Sequence, residues 1–166
     1  ESIHSLPAAD VQDQFGYQMA DSNHPAGPSF QWMDIRDGGT ALQLNDDDYY
    51  FPIQLPFEFQ FYNLPTQQIA VGSNGTIYFE DNYLGYYNQS IPSITYYAPQ
   101  TFVAVYWDDL NPNAGGEIYY QVIGQAPHRK LAIQWQAVPH YYDSAESITA
   151  QALLFEDSNS ILVQYL

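Results

Sequence analysis

A chain of 166 residues with three Lys and Arg against nineteen Asp and Glu carries a formal charge of −16. Such a surface argues against nucleic acid and membrane surfaces as partners, because phosphate backbones and anionic lipid are bound through clustered cations. With no cysteine there is no disulfide framework, zinc–thiolate site or thiol nucleophile, and the length suits one domain that takes roughly 70% of its unfolded surface out of water.

Residues 1–28 are polar, carry Pro7, Pro25 and Pro28, and hold no sustained period, so they read as an irregular lead to a single domain over 29–166. Within the lead, Phe15 to Met19 is expected as a short strand. Ser29 to Ile35 alternates loosely and is predicted as a second strand, closed by the turn residues Arg36-Asp37-Gly38-Gly39. From Tyr49 the period of two is clear: Phe51, Ile53, Leu55, Phe57, Phe59 and Phe61 share one face, while Pro52 and Pro56 confine the strand to an edge or a bend. Gln68 to Val71 and Thr76 to Phe79 flank Gly72-Ser73-Asn74-Gly75, and Asn-Gly between apolar runs is a strong hairpin signal.

Residues 80–100 form a long connection rich in Tyr, Asn and Pro, of the kind that tends to carry function. Phe102 to Trp107 has no charge and many β-branched and aromatic residues, which predicts a strand buried on both faces. It runs into Asp108, Asp109 and Asn111, after which Pro112 and Gly115-Gly116 turn the chain back. Ile118 to Ile123, Leu131 to Trp135, Ile148 to Phe155 and Ile161 to Tyr165 follow as strands. The expected fold is all-β, an antiparallel two-sheet β-sandwich of jelly-roll-like type. Trp107, Trp135, Val105, Ile118, Ile133, Phe59, Phe61, Ile77, Phe79 and Leu153 are expected between the sheets.

The succession Phe57-Glu58-Phe59-Gln60-Phe61-Tyr62, Val71-Gly72-Ser73-Asn74-Gly75-Thr76-Ile77-Tyr78-Phe79, Val103-Ala104-Val105-Tyr106-Trp107-Asp108-Asp109-Leu110 and Gly116-Glu117-Ile118-Tyr119-Tyr120 resembles the extracellular domain of nidogen-like proteins. It is similar above all to the β-sandwich module appended to secreted bacterial proteases and multidomain surface proteins. The resemblance implies an extracellular, non-catalytic accessory or adhesive domain, secreted or on a cell surface, beside neighbouring domains of a larger polypeptide. A chain opening on Glu1 fits such an excised piece.

Two sets of residues are candidates for binding. Asp46, Asp47 and Asp48 with Asp108, Asp109 and Asn111 offer the hard oxygens that calcium takes six to eight of. Acids adjoin apolar strands at both places, and three cations cannot neutralise nineteen acids; the plain alternative is solvated acids capping strand ends. Tyr83, Tyr86, Tyr87 and Asn88, with Tyr96 and Tyr97, are expected to present rings and an amide to a carbohydrate or protein ligand, since tyrosine gives flat amphipathic contact area. The competing reading is tyrosine as β-former and loop filler in a structural spacer or assembly domain.

Catalysis is not expected. His4, His24, His128 and His140 are scattered, Ser73 lies in a hairpin and not in a strand-to-helix elbow, and Glu58, Glu80, Glu117 and Glu156 lack the spacing of a jelly-roll glucanase. A small glycoside hydrolase is the remaining enzymatic alternative.

Overall fold

The computed structural model describes residues 12–83, 85–91 and 101–166. The chain divides into two compact units, one ending at Gln31 and one running from Trp32 to Leu166. In the first unit, Phe15 to Met19 is not a strand. Gln12 and Gln18 form an isolated bridge around a turn, in which Asp13 Oδ1 accepts from the amides of Phe15 and Tyr17, both at 2.9 Å, so a side chain closes the loop locally and no ladder is needed.

The second unit is an antiparallel β-sandwich. Among the described residues it has nine strands: β1 (Thr40–Leu42), β2 (Tyr49–Phe61), β3 (Leu64–Gly72), β4 (Thr76–Tyr78), β5 (Phe102–Ala104), β6 (Glu117–Ile123), β7 (Lys130–Pro139), β8 (Ser147–Phe155) and β9 (Ile161–Tyr165). One sheet has the order β2-β3-β4-β5 and the other β1-β6-β7-β8-β9. The two-sheet, all-β reading of the sequence periods is therefore what the chain forms.

In β2 the period of two is kept from Phe51 on, with Phe51 half-buried, Ile53, Leu55, Phe57, Phe59 and Phe61 buried, and the intervening residues exposed. Pro52 and Pro56 fall on the exposed phase of an edge strand, where a missing N–H costs no central ladder bond. Phe79 stacks on Phe59 and Phe61 at 5.6 and 4.1 Å. Across the sandwich, Trp135 is fully buried and its Nε1 donates to the Gly72 carbonyl at 3.1 Å, one hydrogen bond that ties β7 of one sheet to β3 of the other.

Three expectations need correction. Ser29 to Ile35 is not a strand: the Ile35 amide donates to Gln134 Oε1 at 3.2 Å and the Met33 carbonyl accepts from Gln151 Nε2 at 2.6 Å. These two backbone groups are met by glutamine side chains standing on the outer face of the five-stranded sheet, where Gln164 continues the ladder to Gln151 at 3.3 Å. Ile35 caps that outer face with Ala132 and Leu153, so Leu153 is buried there and not between the sheets, because its cross-strand partner is Ala132 while Ile133 pairs with Ala152.

The strand expected over Phe102 to Trp107 stops at Ala104 and is a half-exposed edge, not a strand covered on both faces. The Val105 and Tyr106 amides turn instead to the Gly75 carbonyl, both at 3.0 Å, and this ends pairing with β4. Trp107 accordingly leaves the core and is only half-buried. The other residues expected between the sheets are buried.

Candidate functional site

The turn between β3 and β4 organises one rim of the sandwich. Ser73 and Asn74 are fully buried although polar, which a core tolerates only when their groups are paired. Ser73 Oγ accepts from the Asp48 amide at 3.0 Å, and the Ser73 amide donates to the Asp48 carbonyl at 2.8 Å. Asn74 Nδ2 donates to Asp47 Oδ1 at 2.8 Å and to the Tyr83 hydroxyl at 3.0 Å, while its Oδ1 accepts from the Leu110 amide at 2.9 Å. One buried amide thus joins the 45–48 loop, the start of the 80–91 connection and the acids after β5.

Gly75 makes the approach feasible. Its φ is +75°, and an added Cβ would lie 2.3 Å from the Tyr106 carbonyl oxygen, so any side chain there would push away the segment leading to the acids.

Held in this way, Asp46, Asp47 and Asp109 each offer a carboxylate oxygen within 4.8 Å of the others. Asp47 adopts φ +50°, a left-handed conformation that Asp tolerates better than most residues. Asp46 Oδ1 is buried and makes no hydrogen bond. Burial, and then the neighbouring Asp47 charge, pushes the Asp46 carboxyl above its ordinary value. Burial also raises Asp109, followed by Asp47, Asp46 and Asp108. Like charges and partial desolvation together mark a place that would be relieved by a cation.

No Lys or Arg of the chain serves there. Arg129 pairs with Glu156 through Nε and Nη2 at 2.8 and 2.6 Å, Arg36 pairs with Asp34, and Lys130 lies 5.6 Å from the centre of the Phe155 ring.

The other expected metal ligands turn elsewhere. Asp48 accepts from the amides of Asn45 and Tyr49 at 3.1 and 2.9 Å. Asp108 Oδ2 lies 3.3 Å from His140 Nδ1, and Asn111 caps the short 3-10 turn Pro112–Ala114 by accepting from Asn113.

The tyrosines separate into scaffold and surface. Tyr83 stacks on Tyr49 at 5.3 Å and 8°, is held by Asn74, and has its hydroxyl pKa pushed well up by burial; it supports the rim. Asn88 Nδ2 donates to the Trp107 carbonyl at 2.6 Å, and Trp107 Nε1 to the Gly85 carbonyl at 3.0 Å, so this amide anchors the loop. Tyr86 and Tyr87 are exposed and pack edge-to-face at 6.4 Å. Tyr96 and Tyr97 lie outside the described residues.

Two features were not read as site residues. Asn74 was legible only as a turn residue, since nothing in Ser-Asn-Gly tells that its amide faces inward. Tyr141 and Tyr142 form a second exposed pair at 5.0 Å, tied to the acids by the Tyr141 amide donating to the Asp109 carbonyl at 2.8 Å; a tyrosine doublet beside Asp143 was their only sequence signal.

The scaffold that holds this rim, Val71 to Phe79 and Val103 to Leu110, lies inside a match to a known family: the NIDO-related family profile covers residues 17–166. The chain belongs to the NIDO-related family. Its NIDO-related region starts well before Phe57, where the motifs that carry the resemblance begin, and includes every strand described above. NIDO-related domains are typically extracellular. No curated protein and no solved structure matches the chain. Among the described residues, no helix is long and apolar enough to cross a membrane.

Proposed function

We propose that this NIDO-related domain is a non-catalytic accessory or binding module of a larger secreted or cell-surface protein, akin to modules appended to secreted bacterial proteases. In this reading calcium bound at Asp46, Asp47 and Asp109 stiffens the rim, and exposed tyrosines beside it meet a carbohydrate or protein ligand. The observation that carries the reading is the joining of these features at one rim by the buried side chain of Asn74. Calcium–oxygen bonds of about 2.3–2.6 Å place ligand oxygens up to roughly 5 Å apart, and the three carboxylates fit within that span.

A spacer domain needs none of this. Rings left in water at Tyr86 and Tyr87 favour a binding surface over a purely structural role, since large exposed aromatics in pairs mark contact sites. The test is the double variant Tyr86→Ala, Tyr87→Ala, screened with the wild type on glycan and extracellular-protein arrays. The variant is expected to keep its melting temperature within about 1 °C, as surface substitutions do, and to lose the wild-type ligand. Retained binding, or unfolding of the variant, would move these rings from the surface to the scaffold and favour the spacer.

A further inference from the structure

The second tyrosine pair changes the chemistry of the rim. Tyr142 is 84% exposed and Tyr87 73%, and both belong to edge-to-face pairs whose backbones are fixed to the acid-bearing segment. Asn88 and Gly85 are bound to Trp107, and Tyr141 to Asp109. The Tyr142 hydroxyl is raised by the charge of Asp109 first, with Tyr86, Tyr141 and Asp47 contributing, as follows when both pairs stand around the same carboxylates.

Rings from both pairs therefore stand by a group of acids that no Lys or Arg of the chain neutralises, with His140 lying 3.3 Å from Asp108 at its edge. The ring faces are negative and the carboxylates accept hydrogen bonds, while the Asn88 amide is turned to the Trp107 carbonyl. A neutral sugar can bond to such groups but gains nothing from their uncompensated negative charge. A guanidinium or ammonium needs only acceptors and ring faces.

We infer that this rim docks a basic segment of a protein partner, placing an arginine or lysine side chain against Tyr142 and Tyr86 with its charge toward Asp109 and Asp47. The inference rests on the reading of the rim as a binding surface and names its partner class; calcium and the basic side chain would draw on the same carboxylates, so the two compete and the basic segment docks when calcium is absent. Charge complementarity selects this occupant: the domain carries −16, and attraction to a basic segment would also speed encounter.

Fluorescence anisotropy with a labelled pentapeptide of glycine and two arginines tests it, against the same peptide with glutamines in their place and against a neutral oligosaccharide. Titrations are run at low salt in chelator and again in millimolar calcium. The arginine peptide is expected to bind in chelator and more weakly in calcium, and the glutamine peptide in neither. Tyr142→Ala and Tyr86→Ala should each weaken the binding roughly twofold to fivefold, the range for an exposed cation–π contact. Glu58→Gln, an acid on the exposed phase of β2, should change it little, which separates docking at the rim from attraction to the net charge.

Absence of arginine-peptide binding in chelator, or binding indifferent to Tyr142 and Tyr86, overturns the inference. Oligosaccharide binding lost in Tyr86→Ala without arginine-peptide binding overturns it too, and leaves the binding-module reading standing. If neither ligand binds and the arrays are blank, both readings fall.

Discussion

Replacing Asn74 by alanine asks whether one buried amide holds the rim together. The change removes the acceptor for the Leu110 amide and the donor to Asp47 and Tyr83. Asn74 and Leu110 are both fully buried, so the Leu110 N–H is left without a partner, a penalty of about 1–3 kcal/mol. Loss of the amide bond to the half-open Asp47 carboxylate adds less, because water replaces it in part. A total of about 3 kcal/mol corresponds to a fall of roughly 6–12 °C in Tm for a domain of this size, read by calorimetry at neutral pH. Any calcium response should shrink as well, since Asp47 is then free to swing away from Asp46 and Asp109. Asn74→Asp keeps the acceptor but sets a carboxylate against Asp47, and should be the less stable of the two when chelator is present. A Tm for Asn74→Ala within about 2 °C of the wild type would refute the hub.

Trp135→Ala should cost about 3–5 kcal/mol, or roughly 6–20 °C in Tm, because the ring is fully buried and its loss also frees the Gly72 carbonyl; a thermal scan near the wild-type value would mean the two sheets do not meet there. On the acid side, the Arg129 guanidinium holds the Glu156 carboxyl down to about 2. The folded state therefore binds this proton less readily than the unfolded chain, so the stabilisation is complete above the ordinary value of 4.5 and is lost as pH falls toward 2. Glu156→Gln should flatten that part of the pH–stability curve; an unchanged curve would show that the pair contributes nothing in solution.

The strands were legible where one face of a strand is buried and the other wet. Phe51 to Phe61 keeps its period because every second residue turns inward, fully so from Ile53 on. An uncharged apolar run misled over Phe102 to Trp107, where those residues serve an edge strand and then a turn, and two amides leave the ladder for the Gly75 carbonyl. Ser29 to Ile35 alternates loosely as a strand would, but Met33 and Ile35 find their partners in glutamine side chains, a pairing that no period records. At the rim, Asp46, Asp47 and Asp109 were readable as acids next to apolar strands. Their convergence depends on Asn74, whose inward amide is a product of tertiary packing.

The proposed cation site at the rim is tested most directly by calorimetric unfolding of the wild type and of Asp109→Asn, each in chelator and in calcium. Calcium at about a hundredfold excess over its dissociation constant should stabilise the wild type by about 2.7 kcal/mol, a rise of roughly 5–11 °C. Asp109→Asn should show no such rise, and in chelator it should melt at or above the wild-type temperature, because the charges of Asp46, Asp47 and Asp108 and partial burial already disfavour an ionised Asp109. A wild-type Tm indifferent to both chelator and calcium, or a calcium response that survives in Asp109→Asn, would contradict a metal held by these three carboxylates.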